Sequence, residues 1–108
     1  MDIRTIFDAC KFSPEKMHKV NLFATTELFV DLYCLEPGQK QKVHTHDDAS
    51  KFYLVVEGHA HFHIADETQK VGPGQAVLAR AGESHGVENA TEERLVLLVG
   101  IAPPPTHA

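Results

Sequence analysis

The sequence has no tryptophan and only two cysteines among its 108 residues. With Cys10 and Cys34 alone, a disulfide-stapled scaffold is excluded. Both thiols are expected to be free, in a reducing cytoplasm. Long hydrophobic runs are also missing. The longest, residues 95–99, falls far short of the roughly 20 residues of a membrane-spanning helix. The opening residues, Met1-Asp2-Ile3-Arg4, do not follow the basic and then apolar layout of a secretory leader. Basic charge is scarce: the formal net charge is -5. This gives no reason to expect nucleic acid or an anionic membrane as a partner. Repeats, linkers and low-complexity tracts are absent. A hydrophobic share of 43% with 23% charged residues excludes a disordered chain. One domain covering residues 1–108 is therefore expected.

Histidine, by contrast, is abundant. There are eight, and six lie between positions 44 and 85. From residue 20 onward the chain breaks into short apolar runs separated by turn residues. Strands are expected near 28–35, 42–46, 52–56, 59–64, 75–79, 85–89 and 95–101. Turns are expected at Glu36-Pro37-Gly38-Gln39, Ala65-Asp66-Glu67-Thr68 and Gly72-Pro73-Gly74. Seven or eight short strands at this spacing predict an all-β sandwich or barrel. Its core is expected over about 20–103, with an N-terminal extension over 1–19 and an exposed tail over 104–108. Residues 28–35 are apolar on both faces. Leu28, Val30, Leu32 and Cys34 are assigned to the barrel core. Phe29, Tyr33 and Leu35 are assigned to a subunit interface. Residues 52–55 are expected to line the barrel.

His44 and His46 stand two apart on an expected strand, so their imidazoles share a face. His85, opening a later strand, can complete a triangle. Three neutral imidazoles at ~2.0–2.1 Å suit a transition metal and leave positions open for water or a ligand. The second histidine row, His59, His61 and His63, alternates with Ala60, Phe62 and Ile64. The apolar set should face the core, which turns these histidines outward, away from any role in the site.

At these positions the sequence resembles the cupins, a family marked by two motifs, G-x5-H-x-H-x3-4-E-x6-G and G-x5-P-x-G-x2-H-x3-N. The first is matched by Gly38, His44, His46 and Gly58, and the second by Gly74, Gly82, His85 and Asn89. The resemblance implies a double-stranded β-helix (a jelly-roll barrel), one divalent ion (Fe, Zn, Ni, Mn or Cu) on His44, His46 and His85, and a homodimer. Two positions depart from the pattern. Arg80 replaces the proline. Lys51 replaces the glutamate that ordinarily supplies a fourth ligand, and an ammonium has no lone pair to give. The expected site is thus a three-histidine ion with an open side, with Asp48 or Glu83 as candidate substitute carboxylates. Lys51 and Tyr53 should point inward together, able to orient a small polar or anionic ligand or to serve in acid–base chemistry. Tyr53, Val55, Phe62 and Val77 are expected to wall the pocket. Iron on three histidines resembles the centre of thiol and diketone-cleaving dioxygenases, which implies dioxygenase-like oxidoreductase chemistry. The alternatives are a non-catalytic binding or sensor protein that uses the metal as an anchor, and a metal-free dimeric scaffold.

Overall fold

The computed structural model describes residues 1–105. The expected tail over 104–108 therefore falls partly outside the described residues. Within it Pro105 is exposed. One helical turn, α1 (Ile6–Ala9), precedes nine strands: β1 (His18–Ala24), β2 (Phe29–Leu35), β3 (Lys40–Thr45), β4 (Ser50–Glu57), β5 (Ala60–Ile64), β6 (Glu67–Val71), β7 (Ala76–Ala79), β8 (Ser84–Glu88) and β9 (Leu95–Ala102). A five-stranded sheet runs β1-β2-β9-β4-β7 and a four-stranded sheet runs β3-β8-β5-β6. Each of these pairings is antiparallel. Packed face to face, the two sheets make a double-stranded β-helix. Tyr33, Tyr53, Phe62, Val87, Leu97 and Val99 meet between them in the core.

The face assignment of β2 is the reverse of the expectation. Tyr33 and Leu35 enter the barrel, while Leu32 and Cys34 face outward. Leu28 lies outside the strand and is exposed. Apolar periodicity gives a strand's alternation but not its phase when both faces are apolar. The phase was set by a cover the sequence did not announce. The N-terminal extension is packed down: Ile6, Ala9, Cys10 and Phe12 lie over Leu32, Cys34 and Val96. Tyr33 and Leu35 are accordingly core rather than interface, while Phe29 is half-buried and joins neither packed cluster. Phe52 and Leu54 also turn away from the barrel, so only Tyr53 and Val55 of that run line it.

Two strands escaped the sequence pattern. β1 begins at His18, inside the expected extension. β6 overlaps the expected turn at Glu67-Thr68; Glu67, Thr68, Gln69 and Lys70 are exposed and only Val71 is buried. Strand β6 is held by its ladder to β5 rather than by burial of its side chains.

The motif residues hold the ends of these strands together. The Gly38 N–H donates to the Asn89 carbonyl at 2.8 Å, and the Asn89 N–H to the Gln39 carbonyl at 2.9 Å. Fully buried, Asn89 also donates through Nδ2 to the carbonyls of Leu35 and Glu93. Its side chain thus ties the first motif's turn to the second motif. Gly58 has a φ of +86°, and a Cβ there would collide with the Arg94 carbonyl oxygen. Only glycine fits.

Candidate metal centre

His44 and His85 are direct cross-strand partners on β3 and β8. Such neighbours on one face hold their Cβ atoms about 4.5–5.5 Å apart. His46 stands one residue past the end of β3. Its carbonyl accepts the Gly82 N–H at 2.9 Å, which docks this residue onto the loop before β8. The three ring centroids lie 4.3 to 5.4 Å apart. One ligating nitrogen from each ring fits within 4.8 Å of the other two.

Backbone contacts fix which nitrogen is free on two of the rings. His44 Nδ1 lies 2.8 Å from the Lys42 carbonyl, and His85 Nδ1 lies 3.0 Å from the Glu83 carbonyl. A carbonyl only accepts, so each Nδ1 carries the proton and each Nε2 is left with a lone pair. His85 is 2% exposed, and its Nε2 has no hydrogen-bond partner. An orphaned buried acceptor costs about 1–3 kcal/mol. A metal ion is the partner its lone pair fits. Burial pushes the His85 imidazole down to about 4, helped by His44, Lys51 and His46 and opposed by the Glu83 carbonyl. Burial also lowers His44 and His46. All three rings are therefore neutral near neutral pH, the form that binds metal. The outer row His59, His61 and His63 does not join them.

No carboxylate completes the set. β3 ends at Thr45 and Asp47-Asp48 forms a turn, so Asp48 does not continue the ligand face. Glu83 Oε1 instead accepts the Arg80 backbone N–H at 2.7 Å. Neither acid belongs to the ligand group. Lys51 and Tyr53 do point inward, at 3% and 0% exposure. The Lys51 ammonium lies 5.0 Å from the ring centroids of both Tyr33 and Tyr53. It donates to Gln41 Oε1 at 3.4 Å. Tyr53 donates its hydroxyl to the same oxygen at 3.0 Å, while Gln41 Nε2 donates to the Tyr33 hydroxyl at 3.3 Å. Burial first, then Lys19, push the Lys51 amine down to about 7, against an opposing pull from Asp31.

Of the expected pocket wall, Tyr53 and Val55 are packed core, while Phe62 and the half-buried Val77 also line a cleft between β6 and β7. Tyr53, Val55 and Phe62 are buried, and the Tyr53 and Phe62 rings meet at 4.9 Å. Three clefts of about 530, 440 and 450 Å³ lie elsewhere, the first beside His61 and His63, the second between β6 and β7, the third beside Met17, Lys19 and Lys40. None of the three is lined by a histidine of the triad. Sequence reasoning missed Lys19, Asp31, Tyr33 and Gln41. Their signal was parity with known inward positions. It was unreadable for Asp31 and Tyr33 while the phase of β2 was undetermined. Gln41 occupies an unspecified position of the first motif.

A family model for the cupin domain matches residues 31–101. The chain belongs to the cupin family. A relative in Streptomyces coelicolor, described as an uncharacterized protein, is 36% identical over 77 residues, covering 69% of this chain and 70% of that one. A crystal structure from Thermus thermophilus superposes with a TM-score of 0.95 at 39% identity, over 97% of this chain and 100% of the other. A double-stranded β-helix protein from Klebsiella pneumoniae superposes at 0.91 with 20% identity, over 99% and 94% of the two chains. At that identity the likeness speaks for the cupin fold alone. No helix among the described residues is long and apolar enough to cross a membrane.

Proposed function

We propose that this cupin holds one divalent metal ion on Nε2 of His44, His85 and a nitrogen of His46, and takes a small polar or anionic ligand on the ion's open side. The orphaned Nε2 of buried His85, inside a group of three neutral imidazoles, carries this reading. Lys51 orients the ligand. Tyr53 is a positioning residue: its hydroxyl fixes Gln41, and its ring centroid lies 6.3 Å from that of His85. Iron bound there would supply neighbouring positions for O2 and substrate, the dioxygenase-like chemistry that a three-histidine set resembles. A second reading, a binding protein that uses the metal as an anchor, is favoured by Lys51 and Lys19, which have no ion-pair partner among the described residues and can hold a ligand without reacting with it. Elemental analysis and metal titration of protein purified without a histidine tag should give one ion per chain. Failure to take up iron or zinc would defeat the proposal. Anaerobic iron loading followed by O2 uptake with small thiols and diketones separates the two readings. Turnover supports the enzyme, and full loading with no turnover supports the binding protein.

We also propose a homodimer, formed through the outer face of the five-stranded sheet. On this face Phe52 pairs with Leu78 across β4 and β7, and Leu54 with Ala76. None carries charge, and Phe52 and Leu78 remain 39% and 47% exposed. An uncharged sheet face can meet its own copy about a two-fold axis without opposing like charges. Sedimentation velocity is expected to give a dimer for the wild type and a monomer for the double substitution Phe52→Glu with Leu78→Glu. A wild-type monomer would remove the proposal.

A further inference from the structure

We infer that the mouth of this site selects a ligand with two acidic groups, one for the metal and one for a station built from Lys51, Tyr33 and Lys19. The inference rests on the metal reading above and narrows it to a ligand class, a short dicarboxylic acid. Lys51 and Lys19 reach the same aromatic ring from neighbouring parts of one sheet. Their ammonium nitrogens lie 5.0 and 5.1 Å from the Tyr33 ring centroid. Lys19 is exposed and Lys51 is buried, so positive charge leads from solvent inward. Neither lysine has an ion-pair partner among the described residues. Asp31 is the carboxylate whose charge reaches Lys51, and its Oδ1 is engaged by Asn21 Nδ2 at 2.8 Å.

Hydrogen-bond polarity points the same way. Gln41 Oε1 already accepts from both Tyr53 and Lys51. The Tyr33 hydroxyl accepts from Gln41 Nε2, which leaves its own proton to give. The station therefore offers mainly N–H and O–H donors. They repel a cationic head and favour a carboxylate, which meets them with charge as well as lone pairs, over a neutral carbonyl or hydroxyl. Charge bookkeeping sets the number of acids. With Lys51 protonated, a divalent ion, three neutral imidazoles, two ammonium groups and the carboxylates of Asp31 and Asp48, whose charges reach Lys51 and His46, leave a net of about +2 in a partly desolvated mouth. One carboxylate on the metal leaves the buried ammonium unpaired. A second carboxylate on the same ligand pairs it, and the charge-assisted hydrogen bonds so formed are the strong kind.

The test is calorimetric titration of the zinc-loaded protein with acetate, malonate and succinate at constant ionic strength. Zinc uptake is measured first on the same samples. The better dicarboxylate should bind at least about ten-fold tighter than acetate. Lys51→Met should bring dicarboxylate and acetate to within about three-fold of each other. Lys19→Met, at an exposed position that leaves the fold intact, should reduce the preference by a smaller factor. Zinc stoichiometry should be unchanged in both variants. Dicarboxylates no tighter than acetate, or a preference that survives Lys51→Met, would overturn the inference. Failure of the wild type to take up zinc would instead overturn the metal reading beneath it.

Discussion

Replacing His85 with leucine should end zinc binding while leaving the metal-free protein about as stable as the wild type. The first effect follows from the ligand count. With no fourth protein ligand in the group, losing one histidine leaves two. Loss of a supporting group behind a ligand already costs about 10–100-fold in metal affinity. Loss of a ligand itself should exceed the upper end of that range. The second effect follows from burial. In the metal-free protein Nε2 of His85 is enclosed without a partner, and leucine removes that atom at similar volume. The gain of about 1–3 kcal/mol from deleting an unsatisfied group offsets the repacking cost, usually under about 1.5 kcal/mol, and the lost Nδ1–H bond to the Glu83 carbonyl, about 0.5–1.5 kcal/mol. A chelator-competition titration measures the first effect, and urea unfolding in excess chelator the second. Zinc affinity within ten-fold of wild type would remove His85 from the ligand set. A clear loss of metal-free stability would mean that the imidazole is held for packing rather than for a ligand.

Lys51→Met should stabilise the metal-free protein by about 2–4 kcal/mol near pH 6, and by much less near pH 10. In the folded protein the amine sits at about 7, against its ordinary 10.5. Below about 7 both folded and unfolded chains carry the proton, and the folded state bears the full cost of burying it. Between about 7 and 10.5 the unfolded chain binds more protons than the folded one. Wild-type stability therefore rises with pH across that window. Methionine removes the titrating group, so the variant should lack this rise. Urea unfolding curves of both proteins at about pH 6 and about pH 10 provide the check, in the presence of chelator. Parallel pH profiles would show that Lys51 is better solvated than its 3% exposure implies.

The fold was legible because strand alternation, turn residues and motif spacing all point to one barrel. The triad was legible for a related reason. His44 and His46 share a face by the period of two, and motif spacing brings His85 alongside. Phase and partners were not legible. Phe29–Leu35 alternates equally well either way, and only the packing of Ile6 and Phe12 decides which face is inside. β6 carries no apolar pattern because its side chains are exposed. The sequence also marked Lys51 as an anomaly without revealing its surroundings. Gln41, Tyr33 and Lys19 reach it from three other strands.

Lys51 also has a genetic side. Every lysine codon becomes a glutamate codon by one change at its first base. A single mutation could thus place a carboxylate, a fourth candidate ligand, where the cupin motif carries glutamate, reversing the charge at the ion's side. A chain carrying lysine here stands one base from a different ligand preference.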